Sequence, residues 1–272
     1  MKGGNIMFTR SEFIIDNIKS SDLGINGVSI IRLDNEMEIS TPWIGGKDII
    51  EEKIVRRDIP YFYGTSKQPL EFSLKFSILD DKYTPEVLFQ LGKIFGSGKY
   101  VSFQSTDFIG KIFYVIATSP INLITYGYYK GWYEVTLRNC APYAFSLPEI
   151  STFNLSHITS PTIIEIYSKS NVPDYRGEYY YYPEIHVDLV NDGTDIIITN
   201  LSDSGRQTQL IGCNPNDSVY MNGQLKQLHA ENTPSIFSKF NKNWFRLIYG
   251  LNRIQITHSC KIQFKCQYPL YI

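Results

Sequence analysis

Nine consecutive residues constrain this chain more than any other stretch. From Leu70 to Ile78 the side chains alternate without a break, Leu70, Phe72, Leu74, Phe76 and Ile78 on one side, Glu71, Ser73, Lys75 and Ser77 on the other. A period of two is the mark of a half-buried strand. Burying each apolar side chain stabilises the fold by roughly 1.5–3 kcal/mol, and a slip of one residue would turn the whole set outward, so the register is well specified. The period then changes. Thr84 is placed to cap a helix, Pro85 suits its first position, and Val87, Leu88, Leu91, Ile94 and Phe95 form a stripe that ends at Gly96. The spacing predicts a helix of about three turns. Strands expected at Lys111 to Thr118 and Trp132 to Asn139, joined by a Gly- and Tyr-rich loop around Tyr126 to Gly131, complete an α+β unit.

At 272 residues the chain exceeds the usual size of one domain, and two are expected, 1–148 and 149–272. Aromatic residues at 14%, led by 20 Tyr and 16 Phe, favour strands. A net charge of −1 offers no general attraction to polyanions, which argues against a sequence-independent nucleic-acid binder. The longest clear apolar run, Ile112 to Ala117, is far too short to span a bilayer. Met1 to Arg10 lack the apolar centre of a secretory signal, so the expectation is a protein kept in a cytoplasm until release. Cys140, Cys213, Cys260 and Cys266 have no CxxC spacing; Cys260 and Cys266 share a face with Ile262 and Phe264 and read as core residues.

Before the alternating strand, strands are expected at Phe13 to Ile15 and Val28 to Leu33, with Ser20 to Gly24 as the turn between them. Trp43-Ile44-Gly45-Gly46-Lys47 reads as a hairpin tip, and Ile54 to Tyr63 as an edge strand broken by Pro60. Ser146 to Ser156, with Pro148 and a Ser/Thr-rich run, reads as a linker. Beyond it, strand candidates fall at Thr162 to Tyr167, Glu178 to Leu189, Ile196 to Thr199, Gln207 to Ile211, Ser218 to Met221, Trp244 to Ile248, Arg253 to His258 and Lys261 to Tyr268. Short regular strands with Asn-Gly turns and no helical period predict a β-sandwich.

Several pieces in order then point to a family. Ile59-Pro60-Tyr61-Phe62-Tyr63-Gly64, the Leu70 to Leu74 strand, Tyr83-Thr84-Pro85-Glu86, Ile121-Asn122-Leu123-Ile124 and Cys140-Ala141-Pro142-Tyr143-Ala144-Phe145 resemble, in the same succession, the distal tail proteins of long, non-contractile-tailed bacteriophages. Fainter likeness continues through Tyr182 to Ile185 and Asn241 to Trp244 to Cys260 to Phe264, and Phe13, Asp22 and Gly24 match loosely near the start. The resemblance implies a mainly β chain with one short helix, an N-terminal ring-forming domain and a galectin-like C-terminal sandwich. It implies a hexameric ring of copies of itself with a central passage for DNA. The tail tube protein would lie above, the tail hub below, with receptor-binding proteins as possible neighbours. The setting implied is the virion tail tip after assembly in the host cytoplasm, with no membrane insertion.

Motifs that could carry chemistry are sparse, and no catalytic, cofactor-binding or metal-binding residue is assigned. Gly96-Ser97-Gly98-Lys99 imitates a phosphate loop, but Lys93 replaces its first Gly and Tyr100 its Ser or Thr, so it reads as a helix end. Glu184, His186 and Asp188 share one strand face and could reach one metal, against the simpler reading of a solvated face. No GxSxG, HExxH or Cys-His pairing appears. Tyr179 to Tyr182 supplies four rings, at most two to a face, and supports the alternative function, a carbohydrate-binding module contacting host glycans. The His-x-Asn-x-Arg run of galectin lectins is absent; Trp244 sits instead among Asn241, Asn243 and Arg246.

Overall fold

The structure, a computed structural model, describes residues 12–29, 32–33, 39–40, 45–78, 84–126, 129–174, 177–191 and 193–271. The chain divides into two compact units, Met1–Phe145 with Tyr271–Ile272, and Ser146–Leu270. The fold is mostly β with a single α-helix among the described residues, Pro85–Phe95.

In the N-terminal unit the strands run, in spatial order, Ile18–Lys19, Phe13–Ile15, Val101–Ser105, Lys111–Ala117, Tyr129–Asn139, Glu71–Ile78 and Ile25–Ser29. Every pairing along this path is antiparallel. The alternating segment lies between two neighbours, and its register explains its pattern. Phe72, Leu74 and Phe76 stand opposite Leu137, Val135 and Tyr133, all buried, while Glu71 and Lys75 stand opposite Arg138 and Glu134 at salt-bridge distances of 3.5 and 3.6 Å. One side of the strand pair is core and the other is paired charge.

The helix closes the core from the end of that strand. Val87 N–H donates to the Thr84 hydroxyl at 3.4 Å, Pro85 occupies the first turn, and Leu91, Ile94 and Phe95 are buried. Leu88, part of the expected stripe, is exposed instead. The Phe76 ring stacks on Phe95 at 6.2 Å and on Tyr133 at 5.5 Å, with Phe13 at 6.4 Å. Three elements distant in sequence are thereby joined through one ring.

Two expectations shift here. The strand expected at Val28 to Leu33 starts earlier, at Ile25–Ser29, after Gly24 in the left-handed conformation and a short 3-10 turn, Ser20–Leu23; Ile30 and Ile31 lie outside the described residues, and Arg32–Leu33 is strand, paired with Ile39–Ser40. Val101–Ser105, not foreseen, pairs on both sides, and Asn122–Tyr126 adds a further strand against Tyr129–Asn139.

The C-terminal unit is a sandwich of two antiparallel sheets. One runs Glu149–Leu155, Cys260–Cys266, Glu184–Leu189, Ser218–Asn222, Gln227–Ala230; the other runs Thr162–Ser168, Gly250–Ile256, Ile196–Asn200, Arg206–Leu210. Ile185, Val187, Ile262 and Phe264 of the first share a core with Ile164, Ile198, Ile254 and Leu210 of the second, and Cys260 and Cys266 belong to it. The expected linker at Ser146 to Ser156 is overturned: Glu149–Leu155 is an edge strand paired along its whole length with Cys260–Cys266. Its Ser and Thr residues are strand positions, not linker composition. The long strand expected from Glu178 to Leu189 is two, Tyr180–Tyr181 and Glu184–Leu189, separated by Tyr182 and Pro183. Trp244 and Phe245 are buried outside any strand, leaving only Leu247–Ile248 of the expected Trp244 to Ile248.

A buried carboxylate fixes one end of this unit. Asp217 Oδ1 accepts from the backbone N–H of Ser218 at 2.8 Å and of Asn232 at 2.9 Å, and the residue is fully buried. Burial alone would raise its carboxyl, but Thr233 and the amides of Asn232, Ser218 and Glu231 outweigh it and hold the group below the usual carboxylate value. A depressed carboxylate contributes stability that is present above its unfolded value and lost as pH falls through its folded one. Asp217→Asn is therefore expected to cost about 1–3 kcal/mol at neutral pH. In urea unfolding, the gap between variant and parent should close as pH drops below about 4; a gap that is constant with pH would contradict this role.

Candidate assembly arm

Between the edge strand and the alternating strand the chain leaves the N-terminal sheet. Lys47–Glu52 and Tyr61–Lys67 pair antiparallel as a two-stranded hairpin that joins no other strand among the described residues, with a bulge between Ile50 and Glu51. This corrects two expectations. The strand placed at Ile54 to Tyr63 begins only at Tyr61, after Pro60, and the residues before it make the turn. Gly45 and Gly46 lie at the root of the hairpin, not its tip, while Trp43 and Ile44 are outside the described residues.

The root is tightly specified. Gly45 N–H donates to the Pro142 carbonyl at 3.2 Å, Gln68 N–H to the Gly46 carbonyl at 2.7 Å, and Leu70 N–H to the Ala141 carbonyl at 3.1 Å. The segment that receives these bonds is itself held by buried Asn139. Its side-chain amide donates to the carbonyls of Ala141 and Tyr143 at 2.9 and 2.7 Å, and its oxygen accepts from Tyr114 N–H at 2.8 Å. A Cβ on Gly45 would stand 1.9 Å from the Gln68 carbonyl oxygen, closer than any side chain can approach backbone. Gly45→Ala should accordingly break the root, and amide hydrogen exchange would report it as loss of protection at Gln68 and Leu70 with the C-terminal unit unchanged. Protection equal to the parent would refute the close approach.

Beyond the root, the arm buries almost nothing. Ile49 and Ile50 are neighbours on one strand and so point to opposite faces, yet they are 64% and 49% exposed. Phe62 and Tyr63, on the other strand, are 66% and 65% exposed, and Val55 and Ile59 in the turn are more open still. Polar contacts shape the arm: Tyr63 Oη donates to Glu52 at 3.0 Å, the Arg57 guanidinium lies 4.6 Å from the Tyr61 ring centre and donates to its hydroxyl, and the Gln68 amide donates to Asp48. A two-stranded hairpin is marginal by itself in water, and this one carries apolar residues on both faces.

Comparison with known proteins supplies the setting. Residues 8–141 match the family described as phage tail protein N-terminal domain, and residues 143–266 the family described as phage tail C-terminal domain. The chain belongs to the phage tail proteins. Its fold is similar to that of the Dit protein of phage SPP1, described as a paradigm of the hub adsorption apparatus in phages infecting Gram-positive bacteria. That match has a TM-score of 0.61 at 12% identity over 96% of this chain and 100% of the other. A chain of the phage P2 baseplate in its activated conformation with calcium aligns at 11% identity and a TM-score of 0.42, over 94% of this chain and 98% of that one. No curated protein matches. The likeness to distal tail proteins read from the sequence thus holds at the level of family and fold.

The remaining candidates of this phage tail protein have local partners. Gly96 ends the helix, Gly98 has a left-handed φ of 64°, and Ser97 bonds the backbone of Lys99, which makes a turn. Glu184 is bonded by Lys265 at 3.1 Å, Asp188 accepts from Ser218 Oγ at 2.8 Å, and the His186 ring lies 4.8 Å from Tyr220. Among the described residues no three His, Cys, Asp or Glu converge as metal ligands. No helix there is long and apolar enough to cross a membrane.

In the tyrosine run Tyr181 and Tyr182 both pack against the core of the unit. Tyr181 turns inward onto Tyr268, 4.7 Å between ring centres, and burial raises its hydroxyl. Tyr180 is covered by the Arg246 guanidinium at 3.5 Å, and Tyr182 by Lys226 Nζ at 4.7 Å. One face each of Tyr180 and Tyr182 thus carries a cation, while Tyr179 is exposed, 6.5 Å from the Tyr249 ring. The sequence places a hairpin and a strand in the region of the arm with other bounds and gives no sign of the cations over the tyrosines; Arg246, Lys226 and Arg206 are scattered through forty positions and share no motif.

Proposed function

We propose that this phage tail protein is a non-catalytic subunit of the tail tip that closes with copies of itself into a hexameric ring. The arm is the joint. The ring joins the tail tube to the tail hub and host-recognition apparatus, leaves a central passage for DNA, and assembles in the host cytoplasm before entering the virion. The observation that carries this reading is the hairpin Lys47–Glu52 and Tyr61–Lys67, rigidly rooted and apolar on both faces.

The physical case is direct. A closed ring needs one patch to dock head-to-tail on a different patch of the next subunit. Covering the arm's exposed Ile, Val, Phe and Tyr side chains would return roughly 1.5–3 kcal/mol apiece, enough in sum to offset an association cost on the order of 4–15 kcal/mol. Near-neutral net charge suits a passage that lets DNA through without holding it. Light scattering and negative-stain images of the purified full chain test the assembly: six-fold rings support it, and a monomer at every concentration up to the millimolar range overturns it.

A further inference from the structure

Gly92 sits in the middle of the helix Pro85–Phe95, and nothing in its own chain asks for a glycine there. Elsewhere the local reason is plain: a Cβ on Gly96 would meet the Gly92 carbonyl oxygen at 2.6 Å, and Gly64, Gly98 and Gly110 have positive φ. At Gly92 the backbone is helical, and an added Cβ would stand in open space, with no atom beyond its own helix turn within 4 Å. Glycine costs a helix interior backbone entropy that alanine or leucine does not. The missing side chain therefore weakens the helix without easing any contact inside the subunit.

The surface around Gly92 is uncharged and open. With 3.6 residues per turn, Pro85, Leu88, Phe89 and Gly92 fall along one flank of the helix and Glu86, Gln90 and Lys93 along another, while Leu91, Ile94 and Phe95 form the buried side. Leu88 and Phe89 are exposed, Phe89 by 73%. The flank is a shallow trough, with two apolar side chains as its wall and a floor free of side chains at Gly92. Among the described residues of this unit outside the arm, the other exposed large apolar side chains, Tyr100, Ile109 and Leu123, have no such neighbour in sequence. In the C-terminal unit Tyr167 stands opposite Leu251, but the Glu165–Arg253 ion pair shares their face.

Building on the arm as the joint of the ring, we propose that this flank is its seat: the hairpin Lys47–Glu52 and Tyr61–Lys67 of one copy lies against Leu88, Phe89 and Gly92 of the next, with an aromatic ring of the arm across Gly92. Arm and flank are both exposed within one chain, so they do not meet there. The arm presents Tyr61, Phe62 and Tyr63 in succession, flat side chains that approach closest where the partner has no Cβ. Head-to-tail closure needs the arm's target to be a different patch of the same chain, and the flank is such a patch. Both belong to the N-terminal unit, so the rotation from each copy to the next is set within one unit and repeats until the ring closes.

Gly92→Leu is expected to act with opposite signs on fold and assembly. In the background of Ile49→Asp with Phe62→Asp, which disables the arm, it should raise the thermal unfolding midpoint by a few degrees, since leucine favours the helix and fills only open space. In the otherwise unaltered chain, light scattering should show the concentration for half-assembly raised by about tenfold or more, because a close contact does not take in an added side chain without separating. Gln90→Lys, on the charged flank, should leave that concentration unchanged. A photo-crosslinking side chain at position 89, in an assembly mixed from isotope-labelled and unlabelled copies, should join to residues of the arm on the other copy. Assembly of Gly92→Leu equal to the parent's, a lowered midpoint, an equal loss with Gln90→Lys, or crosslinks from position 89 that avoid the arm, stay within one copy or fail to form in an assembled sample would each overturn the seat while leaving the ring in place. A parent chain that stays a monomer would overturn the ring and the seat together.

Discussion

Ile49→Asp combined with Phe62→Asp converts the assembled protein to monomer without unfolding it. Both side chains are more than half exposed on the hairpin, so they contribute little to the unit's own core, and surface substitutions of this kind change stability by about 0.5 kcal/mol or less. In an assembly the same positions are covered, and each carboxylate then has to be buried without a partner or keep the interface apart. The two measurements should diverge: light scattering shifts to the mass of one chain, while the thermal unfolding midpoint moves by no more than a few degrees. Loss of fold together with loss of mass would mean that the arm stabilises its own subunit, and an unchanged assembly would remove it from the interface.

Phe76→Ala is the counterpart inside the core. Phe76 contacts Phe13, Phe95 and Tyr133 and is 1% exposed. Truncation leaves a cavity bounded by a strand, a helix and the N-terminal segment that cannot all collapse onto it, so the cost is expected at about 3–5 kcal/mol. For a domain of ordinary stability, roughly 5–15 kcal/mol, that is a large share. The unfolding midpoint of the N-terminal unit in urea should fall accordingly, and because the arm's root hangs on the same sheet, assembly should weaken with it. A cost under 1 kcal/mol would show that the three elements are not locked through this ring.

These two variants also mark where the sequence could be read and where it could not. Glu71–Ile78 and Cys260–Cys266 were legible because each buries one face against its own chain, and that burial writes a period of two into the residues. The helix was legible from its ends, Thr84-Pro85 and Gly96, more than from its stripe, since Leu88 and Phe89 are exposed. The arm was legible only as a misplaced hairpin and strand, because a hairpin that buries neither face against its own unit has no reason to alternate: Ile49-Ile50 and Tyr61-Phe62-Tyr63 are runs. Glu149–Leu155 was hidden for a different reason. As an edge strand with only half-buried inward positions, it tolerates Ser and Thr, which look like linker residues. The cation layer over Tyr180 and Tyr182 depends on contacts between residues up to 66 positions apart, Arg246 and Tyr180 among them, and contact at that range leaves no local pattern.

A photo-crosslinking side chain at position 62 tests most directly whether the arm grips another copy of the same chain. Illumination of the assembled protein, followed by mass spectrometry of the joined peptides, should give crosslinks from Phe62's position to a surface outside the arm on a second copy. Crosslinks confined within one chain, or none in an assembled sample, would contradict the account.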